Sequence, residues 1–177
     1  MAKKNEKIIV RNAKLDYLNF AGKANNYNAE GNRNFCIIFD DLDLVQKMID
    51  DHWNMKPYKP SIDEDTGEAT EYYTQVNVAY GSEWYDDPVI KFVTDGGRKQ
   101  TEIFEESVSE IDRLDFSRID VVIRLNRSIN KKTKLPQTKG YLQRLYAWLD
   151  EDELQMEYDN MMYGDAEPTE DLPFDED

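Results

Sequence analysis

The residues that could support catalysis are few in this sequence. His52 is the single histidine, and it follows a helical pattern beside Trp53, which favours a structural role over a Ser-His-Asp triad. The sequence contains no Gly-x-x-x-x-Gly-Lys loop that could cradle a nucleotide phosphate. Cys36 is the only cysteine, and its apolar surroundings in RNFCIIF favour a buried structural thiol. We therefore assign no catalytic residue and expect no cofactor.

Acidic side chains are abundant, but their spacing does not match a metal site. The run DEDTGEATE resembles a calcium-binding loop, yet its glycine comes one position early and Thr74 occupies the position of the bidentate Glu. The pairs Asp40-Asp41 and Asp86-Asp87 could hold two Mg²⁺ ions in a nuclease. No Glu-x-Lys sequence accompanies them after a predicted strand. No metal site is therefore predicted, and a metal-dependent nuclease or resolvase stays open as an alternative.

Cations interleaved with aromatic residues form a pattern that suits a single-stranded nucleic acid. Lys and Arg can follow the phosphates while aromatic rings stack on bases, each stack contributing about 1 to 3 kcal/mol. The candidate DNA-binding residues are Lys14, Phe20, Lys23, Tyr27, Arg33, Tyr73, Arg124, Arg127, Lys131, Lys132, Lys134, Lys139, Tyr141, Arg144, Tyr146 and Trp148. For Tyr146 and Trp148 a place in the core is an equally good interpretation. The NKKTK segment is also compatible with a solvated hairpin tip.

The net charge of −15 hides a segregation of sign along the chain. Residues 1–39 carry a balance of +4 and residues 118–149 a balance of +7, whereas residues 40–117 carry −13. Residues 150–177 contain thirteen acids and no Lys or Arg. Two basic segments and an acidic end indicate a polyanion site with an acidic arm, which the average over the chain conceals.

The elements that must position these residues are mostly strands. KIIVRNAKLDYL reads as a long strand interrupted by a bulge, and RNFCIIF as the strand after the Asn-rich loop. DDLDLVQKMIDDHW has helical spacing with Asp40 or Asp41 as N-cap. EYYTQVNVAY alternates, with Tyr73, Gln75 and Asn77 on one face.

The second half of the chain reads as two hairpins. DPVIKFVTDGGRKQTEIF turns at Asp95-Gly96-Gly97, and a short helix through Ser107 to Arg113 follows. IDVVIRLNRSI and GYLQRLYAWL form the final hairpin. Together these elements predict a mainly β protein, an OB-like Greek-key antiparallel barrel with one or two short helices. An open antiparallel sheet is the alternative.

The acidic end divides into two segments. Residues 150–164 have helical spacing at Leu154, Tyr158 and Met161, with Gly164 as a stop signal, and predict an amphipathic helix after a domain spanning residues 1–149. Residues 165–177 carry too little apolar surface to offset the entropy of ordering them, and predict a disordered tail. The Pro-Phe step inside its acids favours a docking peptide over a plain solubiliser.

The chain resembles the single-stranded DNA-binding proteins of bacteria and their phages. The similarity rests on the tail EDLPFDED, through Asp171, Leu172, Pro173 and Phe174, and on the block RNAKLDYLNFAGKANNYNAEGNRNFCIIFDD. The resemblance implies an OB-fold that coats single-stranded DNA during phage replication or recombination. The charge pattern itself predicts that the tethered acidic tail occupies the basic groove when DNA is absent. Once displaced by DNA, the tail would dock replication or recombination proteins through those four residues.

Other expectations follow from these interpretations. No apolar run is long enough for a membrane span, and we expect no membrane partner and a place in the cytoplasm of the bacterial host. A homodimer remains open, since the segment 151–163 can pack on its own domain or on a second subunit. An acidic inhibitor that mimics DNA and blocks a host nuclease is the rival from another class.

Overall fold

The computed structural model describes residues 6–26 and 28–149, and the fold is mainly β. The strands are β1 (Lys7–Val10), β2 (Lys14–Asn19), β3 (Arg33–Phe39), β4 (Lys56–Pro57), β5 (Tyr72–Val78), β6 (Val89–Thr94), β7 (Lys99–Ile103), β8 (Phe116–Ile129) and β9 (Pro136–Leu149). One α-helix, α1 (Leu42–Asp50), and 3₁₀ helices at Lys59–Ser61, Asp95–Gly97 and Glu105–Arg113 complete it. Within these residues no helix is both long and apolar enough to cross a membrane. The predicted helix 150–164 and tail 165–177 lie outside the described residues.

The strands form one mixed sheet in the order β1-β8-β9-β5-β3-β2. β8 and β9 make a long antiparallel hairpin, and β3 pairs antiparallel with both β2 and β5. The first half of β9 pairs parallel with β5, while its second half pairs parallel with β6. β6 and β7 form a hairpin at the side, and β4 pairs with β5. The two parallel pairings depart from the all-antiparallel arrangement that the sequence predicted.

β1 and β2 are consecutive in the chain but lie at opposite ends of this strand order. Residues 11–13 separate them, and Asn12 has a φ of 51°, which bends the chain. β1 pairs with β8 and β2 pairs with β3, so the bend carries the chain from one end of the strand order to the other. At the bend, Ala13 N donates to Ile119 O at 2.7 Å. The predicted interruption of the first strand is confirmed.

The core lies between the inward faces of the strands, because alternate residues of each strand point to the same side. β3 contributes Phe35 and Ile37, and β9 contributes Leu145, each 0% exposed. Helix α1 adds Val45 and Met48, the two buried residues of its amphipathic face. The helix begins where predicted, because Asp41 Oδ1 accepts from the backbone N–H groups of residues 43 and 44.

Candidate nucleic-acid interface

A polar groove runs across β5 between the Asn-rich loop, residues 20–32, and the start of β9. Its volume is about 520 Å³. We define it by its lining residues Asn28, Ala29, Gly31, Asn32, Arg33, Asn34, Gln75, Asn77, Val78, Ala79, Tyr80, Glu105, Lys139 and Tyr141. Arg33, Lys139 and Tyr141 were predicted as site residues from distant parts of the sequence, and this groove brings them together.

The Asn-rich loop owes its shape to its own amides. Asn28 Nδ2 donates to the carbonyl oxygens of Lys23, Ala29 and Asn32, and Asn28 Oδ1 accepts from Asn34 at 2.9 Å. These bonds leave one wall of the groove fixed. The start of the loop is anchored elsewhere, because the Asp112 carboxylate of the 3₁₀ helix accepts from the backbone N–H groups of residues 20 and 21. The wall is therefore preorganised before any ligand arrives.

Arg33 connects this wall to the 3₁₀ helix. Its Nε donates to Phe20 O at 2.9 Å, and its Nη1 lies 2.9 Å from Glu105 Oε2. The guanidinium carbon lies 5.6 Å from the centre of the Tyr80 ring. Burial raises the pKa of Tyr80 to about 12, so its hydroxyl stays protonated and can donate a hydrogen bond. Arg33 is thus a positioned cation whose charge is partly offset by Glu105.

An aromatic pocket of about 160 Å³ continues the groove past Tyr141, which lines both. Ala79 is also shared, and the remaining lining residues are Ser82, Trp84, Tyr85, Asp86, Arg124, Asn126 and Leu142. The Arg124 guanidinium carbon lies 3.3 Å from the centre of the Tyr85 ring and 4.9 Å from that of Tyr141. Both contacts are cation–π interactions that hold the arginine in place. The groove and the pocket form one channel with Tyr141 in the middle.

Two buried polar atoms along this channel make no hydrogen bond to any residue that the structure describes. They are Tyr80 Oη in the polar groove and Arg124 Nη1 in the aromatic pocket. A buried donor without an acceptor costs about 1 to 3 kcal/mol, so native proteins rarely keep one without a reason. An acceptor brought by a ligand would remove that cost. Phosphates and the carbonyl oxygens of bases are such acceptors.

Lys14 and Tyr73 belong to a second aromatic cluster on the outer face of β2 and β5. Lys14 Nζ lies 5.2 Å from the centre of the Tyr58 ring and 3.1 Å from Glu71 Oε2. Tyr73 contacts the rings of Tyr17 and Tyr58, with centroids 5.3 and 6.3 Å away. Because Tyr73, Gln75 and Asn77 alternate along one face of β5, this cluster lies on the strand whose other end lines the polar groove.

The channel linings leave out four predicted residues on β8 and β9: Arg127, Arg144, Tyr146 and Trp148. Arg127 is bound by two acids, with Nη2 2.8 Å from Asp51 Oδ2 and Nη1 2.6 Å from Glu6 Oε2. Trp148 packs under the Arg118 guanidinium at 4.8 Å and is half-buried. Arg144 is also half-buried. The structure thus gives Arg127 a role in fixing β8 to the end of α1, and none of these side chains lines the channel.

Two residues predicted to stack on bases have buried side chains. Phe20 is 0% exposed and stacks on Phe35, with ring centroids 5.2 Å apart. The sequence did not reveal this burial, because Phe20 lies in a loop and periodicity assigns no buried face to loop residues. Tyr146 is 4% exposed, which agrees with the core alternative for that residue.

The remaining predicted residues lie on loops. Lys23 is exposed in the Asn-rich loop, where its backbone N–H donates to Asn19 Oδ1. Lys131, Lys132 and Lys134 are exposed at the tip of the β8–β9 hairpin and do not line the channel. Tyr27 and the tail residues Asp171, Leu172, Pro173 and Phe174 lie outside the described residues.

Sequence reasoning missed the aromatic side of the channel. Tyr80, Trp84 and Tyr85 were not singled out, because they follow β5 in a loop of acids and glycine that has no basic residue. The signal that could have found them is the exposed aromatic pair in GSEWYDD, where a plain solvated loop would not need a Trp. Asn77 and Gln75 were assigned to the correct face but given no binding role.

One member of each acidic pair has a local structural role. Asp41 caps α1, and Asp87 Oδ1 accepts from Gly81 N at 2.8 Å. Among the residues that the structure describes, no group of three or more His, Cys, Asp and Glu is arranged to hold a metal ion. Asp41 and Asp87 therefore stabilise the local backbone, and neither role requires a metal ion.

Comparison with known proteins decides the family. The sequence profile described as "Putative phage ssDNA-binding domain" matches residues 1–172, nearly the whole chain. The chain belongs to this family. The resemblance noted from the tail and the Asn-rich block is therefore confirmed at the level of the family. No curated protein matches the sequence.

Solved structures of phage proteins are similar to this member of the family. The single-stranded DNA-binding protein from bacteriophage Enc34 in complex with ssDNA is 13% identical, with a TM-score of 0.49 over 82% of this chain and 88% of the other. A second structure of the single-stranded DNA-binding protein from bacteriophage Enc34 has 14% identity and a TM-score of 0.47, covering 82% of each chain. Gp2.5, a single-stranded DNA-binding protein encoded by bacteriophage T7, has 11% identity and a TM-score of 0.43, covering 92% and 96%.

Proposed function

We propose that this protein binds single-stranded DNA along the channel formed by the polar groove and the aromatic pocket, and that it coats and protects single strands during phage replication or recombination. One observation carries the proposal. Tyr141 lines both parts of the channel, with Arg124 against its ring and Lys139 two residues away on the same face of β9. A half-buried aromatic ring beside two cations is what a base and its phosphate require.

The two parts of the channel have different roles in this proposal. The polar groove offers the cations Arg33 and Lys139, which suit phosphate oxygens. The Nδ2 groups of Asn34 and Asn77 each use one hydrogen within the protein, so the second hydrogen of each can also donate to a phosphate. Tyr141 stacks on a base. Stacking on an aromatic ring is tolerant of base identity, so sequence preference should be weak. The activity is binding, and the place of action is the cytoplasm of the infected cell.

We further propose that the mixed sheet is an OB-like Greek-key barrel. The support is the strand order: β1 and β2 act as one bent first strand that pairs with β8 at one end and β3 at the other. Strands β3, β5, β9 and β8 then lie between its two ends, and β5 and β9 pair parallel. In an OB-fold, nucleic acids bind the face of the second and third strands and the loops flanking them. Here those strands are β3 and β5, which border the polar groove.

Titration of the full chain with dT oligonucleotides at two salt concentrations tests the function. Binding should be clear at low salt and should weaken steeply as salt rises, because each phosphate contact contributes about −0.7 to the slope of log K against log salt. Lys139→Gln should reduce the magnitude of that slope by about 0.7. Lys99→Gln, an exposed change on β7 outside both linings, is the matched control. No binding of the wild type at low salt would end the proposal.

The tail forms a separate part of the proposal. Residues 165–177 compete with DNA for the channel, and the segment Asp171 to Phe174 docks replication or recombination proteins. Because the tail is tethered, its effective concentration at the groove is high, which favours the competition. A chain lacking residues 165–177 should bind dT oligonucleotides more tightly than the full chain. Unchanged or weaker binding would argue against the competition without affecting the channel.

A DNA mimic and a nuclease would behave differently in the same samples. A mimic would not bind dT oligonucleotides, and a nuclease would shorten them when Mg²⁺ or Mn²⁺ is added. Gel analysis of the titrated oligonucleotide after incubation with each ion therefore separates binding from cleavage.

A further inference from the structure

The loop Gly81–Asp87 carries the most exposed large apolar side chain of the described residues. Trp84 is 83% exposed, and its neighbour Tyr85 is 42% exposed. A single exposed Trp is unremarkable on a surface, but here it lines the aromatic pocket that opens from the polar groove. We call residues 81–87 the aromatic loop.

Hydrogen bonds hold the aromatic loop in its present form. Ser82 Oγ accepts from the backbone N–H groups of Trp84 and Tyr85, at 3.1 and 3.3 Å. Asp87 Oδ1 accepts from Gly81 N, which ties the two ends of the loop together. Gly81 has a φ of 73°, a conformation that favours glycine. The two rings are therefore presented by an ordered turn, which lowers the entropy that a ligand must offset.

Arg124 gives the pocket a polar floor. Its guanidinium contacts the Tyr85 ring at 3.3 Å, and its buried Nη1 has no hydrogen-bond partner in the described part of the chain. Every base carries a carbonyl oxygen or a ring nitrogen that can accept from such a donor. A base entering the pocket would therefore meet aromatic surface on its face and an unused donor at its edge.

The charges of the aromatic loop decide which part of the nucleotide it can accept. Glu83, Asp86 and Asp87 are exposed acids, and the loop contains no cation. Like charges at about 6 Å repel by roughly 0.7 kcal/mol even in water, so a phosphate is disfavoured here. A neutral base suffers no such repulsion. The phosphates would thus stay on the Lys139 side of Tyr141, and the face of the base would lie against Trp84.

We propose that the aromatic loop is a base-stacking subsite, in which Trp84 stacks on one nucleobase of the bound strand while Arg124 donates to its edge. This inference rests on the proposed function and deepens it. Trp84 acts through contact with the base alone, so its contribution should be insensitive to salt, in contrast to that of Lys139.

Tryptophan fluorescence reports on this contact directly. Of the three tryptophans, Trp53 is 6% exposed and Trp148 lies under Arg118, so Trp84 is the one open to a base. In a Trp148→Phe background, saturating dT oligonucleotide should quench the emission of Trp84. Adding Trp84→Phe should abolish the quenching while keeping most of the affinity, because Phe also stacks.

The affinity test uses Trp84→Ala in the full chain. The expected loss is about 5- to 150-fold in Kd for dT oligonucleotides, the equivalent of one stacked base, with an unchanged salt slope. Phe104→Ala, which removes a 57% exposed ring outside both linings, should leave Kd unchanged. On an abasic oligonucleotide of the same length, Trp84→Ala and the wild type should bind alike.

The possible results distinguish a failure of the Trp84 subsite from a failure of the proposed function. If the wild type binds dT but Trp84→Ala binds equally well and no quenching occurs, the subsite is refuted and the proposed function stands. If Trp84→Ala weakens abasic and dT binding by the same factor, the effect is not stacking and the subsite is again refuted. If the wild type does not bind at low salt, the proposed function itself fails.

Discussion

The ion pair between Arg33 and Glu105 places an acid at the edge of the proposed DNA channel. Glu105 lines the polar groove, its side chain is 50% exposed, and its Oε2 lies 2.9 Å from Arg33 Nη1. Replacing Glu105 with Gln keeps an acceptor for this hydrogen bond and removes one negative charge from the groove. We expect Glu105→Gln to bind single-stranded DNA more tightly than the wild type.

The size of the effect follows from the geometry of the pair. A phosphate oxygen that accepts from the same guanidinium would lie roughly 6 Å from the Glu105 carboxylate, where two unit charges repel by about 0.7 kcal/mol in water and about 1.4 kcal/mol at an effective dielectric constant near 40. Removing that repulsion corresponds to a Kd about three to ten times lower. If Arg33 then gains a full phosphate contact, the slope of log K against log salt becomes steeper by about 0.7.

The assay is a dT titration of Glu105→Gln beside Glu102→Gln. Glu102 is exposed on β7 and lines neither part of the channel, so this control changes the net charge equally. Only Glu105→Gln should tighten binding beyond the shared effect of net charge, and the difference should shrink at high salt. Equal shifts in the two variants, or no tightening at low salt, would mean that the Arg33 edge of the groove is not on the DNA path.

Three further predictions concern the scaffold. Gly140→Ala should destabilise the fold by about 1 to 3 kcal/mol in chemical denaturation, because a Cβ there would lie 3.0 Å from the Trp53 ring. The Cys36 thiol, whose pKa burial raises to about 11, should react with iodoacetamide at pH 8 only after unfolding. Hydrogen bonding to Arg127 holds the pKa of Asp51 below its ordinary 3.8, so Arg127→Gln should lower Tm near neutral pH, and this difference should fade as pH falls through the lowered pKa.

Local signals predicted much of the fold. β3 spans the predicted segment RNFCIIF, because an apolar run after a loop rich in Asn and Gly has few alternatives to a buried strand. Helix α1 begins after Asp41, since a capping carboxylate acts within three residues. The turn at Asp95–Gly97 joins β6 and β7 as predicted, because Gly96 and Gly97 accept positive φ at no steric cost.

The candidate site was predicted only where charge and strand alternation agree. Tyr141 and Arg124 lie on outward positions of paired strands, and alternation places such residues reliably. Phe20 and Trp84 lie in loops, where no period assigns a face. One is buried and the other is 83% exposed. Arg127 lies outside the channel linings for another reason: its acidic partners come from distant segments, and composition cannot show pairing.

The order of strands explains how two basic segments of a strongly acidic chain can face one DNA strand. Strand β5 lies between β3 and β9, so Arg33 from the first basic segment and Lys139 from the second meet across it. β5 belongs to the acidic middle of the sequence, yet its polar residues in the groove, Gln75 and Asn77, are neutral. A carboxylate at position 75 or 77 would lie between the two cations and weaken the positive potential that attracts a phosphate.

Asn77→Asp should therefore weaken binding of dT oligonucleotides about threefold or more at low salt, by the same Coulomb reasoning as for Glu105. If Asn77→Asp and the control Gln100→Asp on β7 weaken binding equally, the bound DNA does not cross β5. The convergence of the two basic segments then plays no part in DNA binding.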